Sequence, residues 1–372
     1  MNFTYFAPTK IVFRRGALDK IGEEAKRLGD RALLVTGRTF ARKYGYIDKI
    51  RALLEKSKVS CTVFSEVEPN PSYETVERGA ELARRENVEL VIGFGGGSAM
   101  DAAKAIAVLA LKKGFIRDYI YPYVVKEEVL PIIAVPTTCG TGSEVTRYSV
   151  LTDTTSKRKT VVVGPSIIPK VALLDPSVLV HLPPDLTVYT AFDAFSHAIE
   201  AYWSNRSQPI SDVLAVESMR LIVENLTSAY QGSSSAKEKL FLASLMAGLA
   251  INAAGTTMIH ALGYPLTVYY NLHHGLANAL LTLPSIRHNR RTVKEKLEEL
   301  AKRLGLSSVD EFVEKIEELL SETGIKKLRD YGVSESDLEF LAKEGVSYSR
   351  NLANNPAPVT LSDAVKILSE IL

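Results

Sequence analysis

"VELVIGFGGGSAMDAAKAIA", residues 88–107, is the stretch on which the fold turns. Its first half is apolar without alternation, as a strand must be when helices cover both faces of a parallel sheet. Its second half reads as a helix, and at the junction stand Gly95, Gly96, Gly97 and Ser98. The pattern repeats outward. The runs "RALLVTG", "SCTVFSEV", "LPIIAVPTT" and "VALLDP" alternate with amphipathic segments such as "SYETVERGAELARREN". Short apolar runs separated by helices predict crossover units and a mostly parallel sheet, with "RALLVTG" as the first strand.

After "HLPPDL" the periodicity becomes helical throughout, with breaks at "SNRSQPISD", "GSSSAKEK", "NAAGTT" and "APVTLSDA". Ser235, Ser308 and Ser334 precede charged first turns in the manner of N-caps. The expected organisation is an α/β dinucleotide-binding domain over residues 1–182 and an all-α domain over 183–372. At 372 residues the chain exceeds one ordinary core, which agrees with two domains.

Composition narrows the function. A hydrophobic share of 46% and a charged share of 24% describe an ordinary globular protein, and a net charge of +2 without like-charge blocks argues against a nucleic-acid binder. No basic leader with an apolar run opens the chain, and the most apolar stretch, Leu240 to Gly255, suits a buried helix better than a membrane span. Two cysteines, Cys61 and Cys139, exclude a disulfide scaffold and a multi-cysteine zinc site, and suit a reducing cytoplasm. Glutamine occurs only at 208 and 231, and the last third is rich in Lys and Glu, a hint of a hot habitat.

The glycine cluster lets a backbone approach an anion, and a helix N-terminus adds N–H groups and a positive dipole end, so a nucleotide pyrophosphate is the expected guest. Asp101 and Lys104 follow, placed either to reach the ligand or to form a surface pair. The loop "VPTTCGTGSEVT" offers Thr137, Thr138, Thr141 and Ser143 around Gly140 and Gly142 at the next strand end, completing a Rossmann-like crevice. Where an acidic residue after a strand would hold the adenosine ribose, this chain has Gly37 and Arg38, which favours NADP(H) over NAD(H).

The helical half holds a second constellation. In "FDAFSHAIEAYW", residues 192–203, Asp193 and His197 share a face with Thr190, Glu200 and Ser204, which is either a solvated stripe or half of a metal site. Three more of the six histidines gather in "TTMIHALGYPLTVYYNLHHGLANALLTLP", where His260 and His274 could converge on that pair. One acid with three imidazoles makes a divalent-metal set, and four protein ligands plus a substrate position suit Fe(II) better than catalytic zinc, although Zn(II) remains an alternative.

The motifs "GGGSAMDAAK", "PTTCGTGSEVT", "FDAFSHAIEAY", "HALGYP" and "HHGLANALLTLP", in that order, resemble the iron-containing (group III) alcohol dehydrogenases over essentially the whole chain. The resemblance implies that Asp193, His197, His260 and His274 ligate the metal, with His273 passed over. It implies that Gly95 to Ser98 hold the pyrophosphate, that Asn70, Thr137 and Thr138 serve the nucleotide, and that Lys159 reaches the nicotinamide ribose. One departure stands out: many members have a histidine where this chain has Tyr264. Either the phenol carries protons at higher pH, or the proton leaves through the ribose hydroxyl and water.

The reaction this resemblance implies is hydride exchange between NADP(H) and a small primary alcohol, diol or aldehyde, with the metal as Lewis acid in the cleft between the domains. Arg147, Tyr148 and Trp203 are candidates for the pocket border. Partners would be small molecules, with no nucleic acid or membrane, and family analogy suggests a homodimer or larger homo-oligomer. The rivals are a zinc glycerol dehydrogenase-like enzyme, a dehydroquinate synthase-like lyase, and a noncatalytic nucleotide sensor. The lyase should show Lys and Arg around the ligands, whereas the stretch around His260 is apolar and small.

Overall fold

The fold is that of a computed structural model, which describes residues 2–372. The chain forms two compact units, residues 7–138 with 142–182, and residues 183–372 with 2–6 and 139–141. The first unit contains β1 (Lys10–Phe13), β2 (Arg31–Gly37), β3 (Ser60–Val67), β4 (Leu90–Gly95), β5 (Ile132–Pro136), β6 (Tyr148–Asp153), β7 (Arg158–Val163) and β8 (Val171–Leu174). Its helices are α1 (Ile21–Lys26), α2 (Phe40–Lys43), α3 (Tyr46–Lys56), α4 (Tyr73–Arg85) and α5 (Gly97–Leu111).

Six strands form a parallel sheet in the order β1-β8-β5-β4-β2-β3. The reason is visible in β2: Leu33 and Val35 enter a core with Val76, Ala80 and Ile106, while Ala32 and Leu34 enter a second core with Ile50, Leu54 and Phe94. Both faces are therefore buried, at about 1.5–3 kcal/mol for each large apolar side chain removed from water. Two details differ from expectation. "RALLVTG" is the second strand, because a four-residue edge strand precedes it, too short and too exposed to announce itself by periodicity. An antiparallel pair, β6 with β7, also stands outside the main sheet.

The second unit holds α6 (Pro184–Trp203), α7 (Pro209–Tyr230), α8 (Ser234–Ala254), α9 (Met258–Tyr269), α10 (His274–Asn289), α11 (Lys294–Arg303), α12 (Val309–Glu322), α13 (Leu338–Val346), α14 (Ser349–Leu352) and α15 (Leu361–Glu370), and no strand among the described residues. Proline at the first turn of α6 and α7 starts both where a missing N–H costs nothing. Ser308 caps α12 as expected by accepting the Glu311 N–H at 3.1 Å. Ser334 caps only a three-residue turn, and the α8 cap is Ser233 rather than Ser235, which lies inside the helix. Leu240 to Ala254 fall within buried α8. No single described helix is long and apolar enough to cross a membrane; α8 and α9 reach that length only together, across a 110° bend.

Candidate functional site

The α/β unit carries a ligand-binding architecture at the carboxyl ends of its strands. The chain steps from β2 out to β3 and then back across to β4, so strand order reverses beside β2. Open α/β sheets bind ligands at such a reversal. Thr36 pairs with Phe94 and Gly95 with Pro136, which sets Gly37, the Gly95–Ser98 loop and Thr137 at neighbouring strand ends. Gly95 has φ +150°, and a Cβ there would meet the Ala99 Cβ at 2.8 Å, so no other residue fits without movement. No side chain caps α5, whose 15 residues begin at Gly97, and its leading N–H groups face the loop with the positive end of the dipole.

Around that loop the candidates are joined by hydrogen bonds. The Asn70 N–H donates to Ser98 Oγ at 3.2 Å, and Asn70 Oδ1 accepts from Lys159 Nζ at 2.6 Å. Lys159 also donates to Thr152 Oγ1 at 3.1 Å, and burial pulls its ammonium down to about 7. The Thr137 N–H donates to the Gly95 carbonyl at 3.0 Å, and a Cβ on Gly96 would rest against Thr138. Arg38 is 60% exposed, donates to the Glu66 carbonyl at 3.0 Å and lies 3.6 Å from the Glu68 carboxylate. A Cβ on Gly37 would find only the Val67 carbonyl at 3.7 Å, so sterics do not demand glycine there.

One placement differs from the sequence reading, and three more residues can be located. Asp101 and Lys104 are no surface pair. Lys104 is fully buried and donates to the Thr146 and Tyr148 carbonyls, while Asp101 accepts from Ser143 Oγ at 2.6 Å and from the Val150 N–H at 2.9 Å. Both carboxylate oxygens of Asp101, and the Ser143 hydroxyl with them, thus tie α5 to the start of β6. Thr141 belongs to the 139–141 segment grouped with the helical unit, apart from the other loop hydroxyls. Tyr148 heads β6, and Arg147 supplies its carbonyl to the Gly164 N–H at 3.1 Å.

The helical unit carries the second constellation. Thr190, Asp193, His197, Glu200 and Ser204 are all buried, so the α6 face is not a solvated stripe. Asp193, His260 and His274 each place a ligand atom within 4.8 Å of the others, and His197 Nε2 lies 3.9 Å from Asp193 Oδ1. The His197 ring stacks on that of His260 with centroids 4.7 Å apart, and its Nδ1 is 3.3 Å from the Gly140 carbonyl. His273 does not join the cluster: its Nδ1 accepts the Gly275 N–H at 3.2 Å and caps α10. Gly275 permits the approach that brings His274 in, because a Cβ there would lie 1.9 Å from the Tyr189 carbonyl oxygen.

Burial alone would raise the Asp193 carboxyl, but the surrounding imidazoles outweigh it and hold it below the usual carboxylate range. Burial lowers His197, whereas in His260 it is outweighed by the Glu200 carboxylate, which raises that imidazole. A buried carboxylate and imidazoles with converging nitrogens form the donor set that a divalent transition ion requires. Tyr264 lies beside the cluster, stacked with His274 at 5.6 Å and edge-on to Tyr348 at 5.0 Å, and burial pushes its phenol far above the ordinary value.

Sequence reasoning missed three residues. Glu200 was seen only as part of the stripe, although its spacing of seven from Asp193 was a signal. Asn278 donates from Nδ2 to Asp193 Oδ1 at 2.9 Å, and Arg350 acts electrostatically on Tyr264, so the neighbourhood of the ligands is not free of cations. Trp203 is 2% exposed and donates from Nε1 to Thr257 Oγ1 at 3.0 Å.

A phosphate-type loop on a parallel sheet and a carboxylate–histidine cluster in a helical bundle point to an oxidoreductase acting on alcohols. Residues 8–176 match the family model of the iron-containing alcohol dehydrogenases, and residues 187–372 match the C-terminal model of the same family. The chain belongs to the iron-containing alcohol dehydrogenase family. It is similar to long-chain-alcohol dehydrogenase 1 of Geobacillus thermodenitrificans, 38% identical over 94% of this chain and 91% of that protein. It is also similar to the NAD-dependent methanol dehydrogenase of Bacillus methanolicus, 31% identical over 99% of each chain. The crystal structure of an iron-containing alcohol dehydrogenase from Thermotoga maritima superposes with a TM-score of 0.90 at 36% identity, covering 100% of this chain and 99% of that one.

Proposed function

We propose that this alcohol dehydrogenase exchanges hydride between NADP(H) and a small primary alcohol, diol or aldehyde, with Fe(II) held by Asp193, His197, His260 and His274. The observation that carries the proposal is the convergence of buried Asp193 and His260 with half-buried His274 within 4.8 Å, with His197 beside Asp193. The donor set fits iron by its mixed oxygen and nitrogen chemistry, and Zn(II) would fit with one ligand fewer. When bound, the ion supplies Lewis-acid polarisation of the substrate oxygen, and the nicotinamide supplies or receives the hydride.

The chain's own residues do the rest. Gly95, Gly96, Gly97 and Ser98 receive the pyrophosphate at the start of α5, flanked by Thr137 and Thr138. Asn70 and Lys159 orient the ribose beside the nicotinamide. Asp193 stays ionised because the imidazoles around it outweigh the cost of burial. Tyr264 keeps its proton at neutral pH, so it can donate but not act as a base. Lys159, lowered to about 7, is matched to taking up or releasing the proton that accompanies hydride transfer.

Coenzyme preference rests on the residues after β2. Gly37 presents no carboxylate to repel a 2′-phosphate, and the exposed Arg38 guanidinium is next in sequence. Since an NAD-dependent relative matches the chain over its length, the ratio of kcat/KM for NADPH and NADH is the deciding number. A homodimer or larger assembly is supported by β1, an edge strand paired only with β8 and exposing Ile11. Asp193→Ala tests the reading of the site: turnover of butyraldehyde with NADPH should be lost while NADPH binding persists, and wild-type turnover would refute it.

A further inference from the structure

Glu200 has no exposed surface and projects from the α6 face that carries Asp193 and His197. Its Oε1 accepts from the Thr257 N–H at 3.0 Å, the Thr257 hydroxyl at 2.8 Å and the Ile259 N–H at 2.7 Å, which are the leading donors of α9. Its Oε2 makes a hydrogen bond with His260 Nδ1. Trp203 holds the Thr257 hydroxyl from the other side, at 3.0 Å. One carboxylate therefore caps α9 at the point where the chain bends by 110° after α8, and contacts an imidazole of the metal cluster from behind.

The carboxyl group of Glu200 is the acceptor in each of its contacts with α9, and in the same role at Oε2 it takes its hydrogen bond from a proton on His260 Nδ1. In the neutral imidazole that leaves Nε2 with its lone pair. A second contact agrees: the Asn278 amide donates to Asp193 Oδ1 at 2.9 Å, which fixes its NH2 end, and its remaining proton is shared between His274 Nε2 at 3.3 Å and His260 Nε2 at 3.5 Å. A donor faces Nε2, as it should if Nε2 is unprotonated.

We propose that Glu200 is the positioning residue that makes His260 a metal ligand, holding the proton on Nδ1 and presenting the Nε2 lone pair to Asp193 and His274. The inference rests on the metal-site reading of Asp193, His260 and His274. Carboxylates behind ligating histidines set tautomer and ring orientation, and their loss costs about 10- to 100-fold in metal affinity. Glu200→Gln separates this role from the cap. The glutamine Oε1 can still accept the donors of α9, which places its NH2 against His260 Nδ1. The imidazole must then accept at Nδ1 and carry its proton on Nε2, where it blocks ligation.

The test uses the full-length protein. Two-bond 1H–15N correlation spectra of histidine-labelled protein, with His260 identified through His260→Ala and recorded over a pH series into the range where its ring is neutral, report the tautomer before metal is added. Chelator competition gives the Zn(II) affinity of wild type, Glu200→Gln and His260→Ala. Expected are an Nδ1–H tautomer at His260 in wild type, an Nε2–H tautomer in Glu200→Gln, and a loss of Zn(II) affinity of about 10- to 100-fold in that variant. An Nε2–H tautomer in wild type, or wild-type Zn(II) affinity in Glu200→Gln, overturns the inference. Wild-type affinity in His260→Ala would instead overturn the metal-site reading itself. The wild-type spectrum judges the proposal even if Glu200→Gln does not fold.

Discussion

Gly275→Ala should separate the metal cluster from its scaffold with a single methyl group. The added carbon would sit 1.9 Å from the Tyr189 carbonyl oxygen, 2.6 Å from its carbon and 3.2 Å from the Asp193 Cβ. Ordinary contact begins near 3.4 Å, so the start of α10 must withdraw from α6 by about 1.5 Å. The obstacle is backbone and cannot rotate away. His274 Nε2 now lies 3.8 Å from Asp193 Oδ1, close enough for both residues to hold one divalent ion. Withdrawal by more than an ångström exceeds the tolerance of such a site, and displacements of that size cost about 100-fold in rate. Overpacking should also cost about 1–3 kcal/mol in stability. Urea unfolding, metal content by mass spectrometry and kcat with butyraldehyde report the three effects. A variant with wild-type metal content and turnover would refute the claim that the α6–α10 approach assembles the site.

Gly37→Asp should move coenzyme preference from NADPH towards NADH, by about 10-fold or more in the ratio of kcat/KM, since one charge repulsion or ion pair of about 1.4 kcal/mol suffices for a factor of ten. The site has room for the side chain, so an unchanged ratio would count against Gly37 as the selector. Lys159, lowered to about 7 by burial, holds its proton below that pH and releases it above. NADPH affinity measured by fluorescence from about pH 6 to about pH 8.5 should therefore weaken through about 7, and Lys159→Met should lose that inflection. A flat profile in wild type would remove the ammonium from nucleotide binding.

The parts of the molecule legible in the sequence are those written in local periodicity. The apolar run Leu90–Phe94 announced a strand covered on both faces, and helical spacing placed Asp193 and His197 on one side of α6. Burial of that side was not legible, because the helices that cover it lie far along the chain. Glu200 meets donors 57 and 59 residues away, so its charge looked like any solvated glutamate. The burial of Trp203 was hidden for the same reason, its hydrogen-bond partner being Thr257. Asp101 and Lys104 read as a possible surface pair because they follow the glycine loop on the first helical turns, while the Ser143 and Val150 groups that bind Asp101 come from later turns of the chain. The N-cap of α8 was misplaced by two residues within "GSSSAK", where three consecutive serines offer the same chemistry and only the backbone conformation of Ser233 distinguishes them.

The central claim is that the Asp193, His197, His260 and His274 cluster holds a catalytic divalent iron. NADPH oxidation with butyraldehyde by metal-stripped protein, assayed anaerobically before and after addition of Fe(II) or Zn(II), tests it most directly. The account predicts no turnover without metal and the greatest recovery with Fe(II), at one ion per chain. Full turnover by the stripped protein would contradict it, and recovery with Zn(II) alone would replace iron with zinc in the same site.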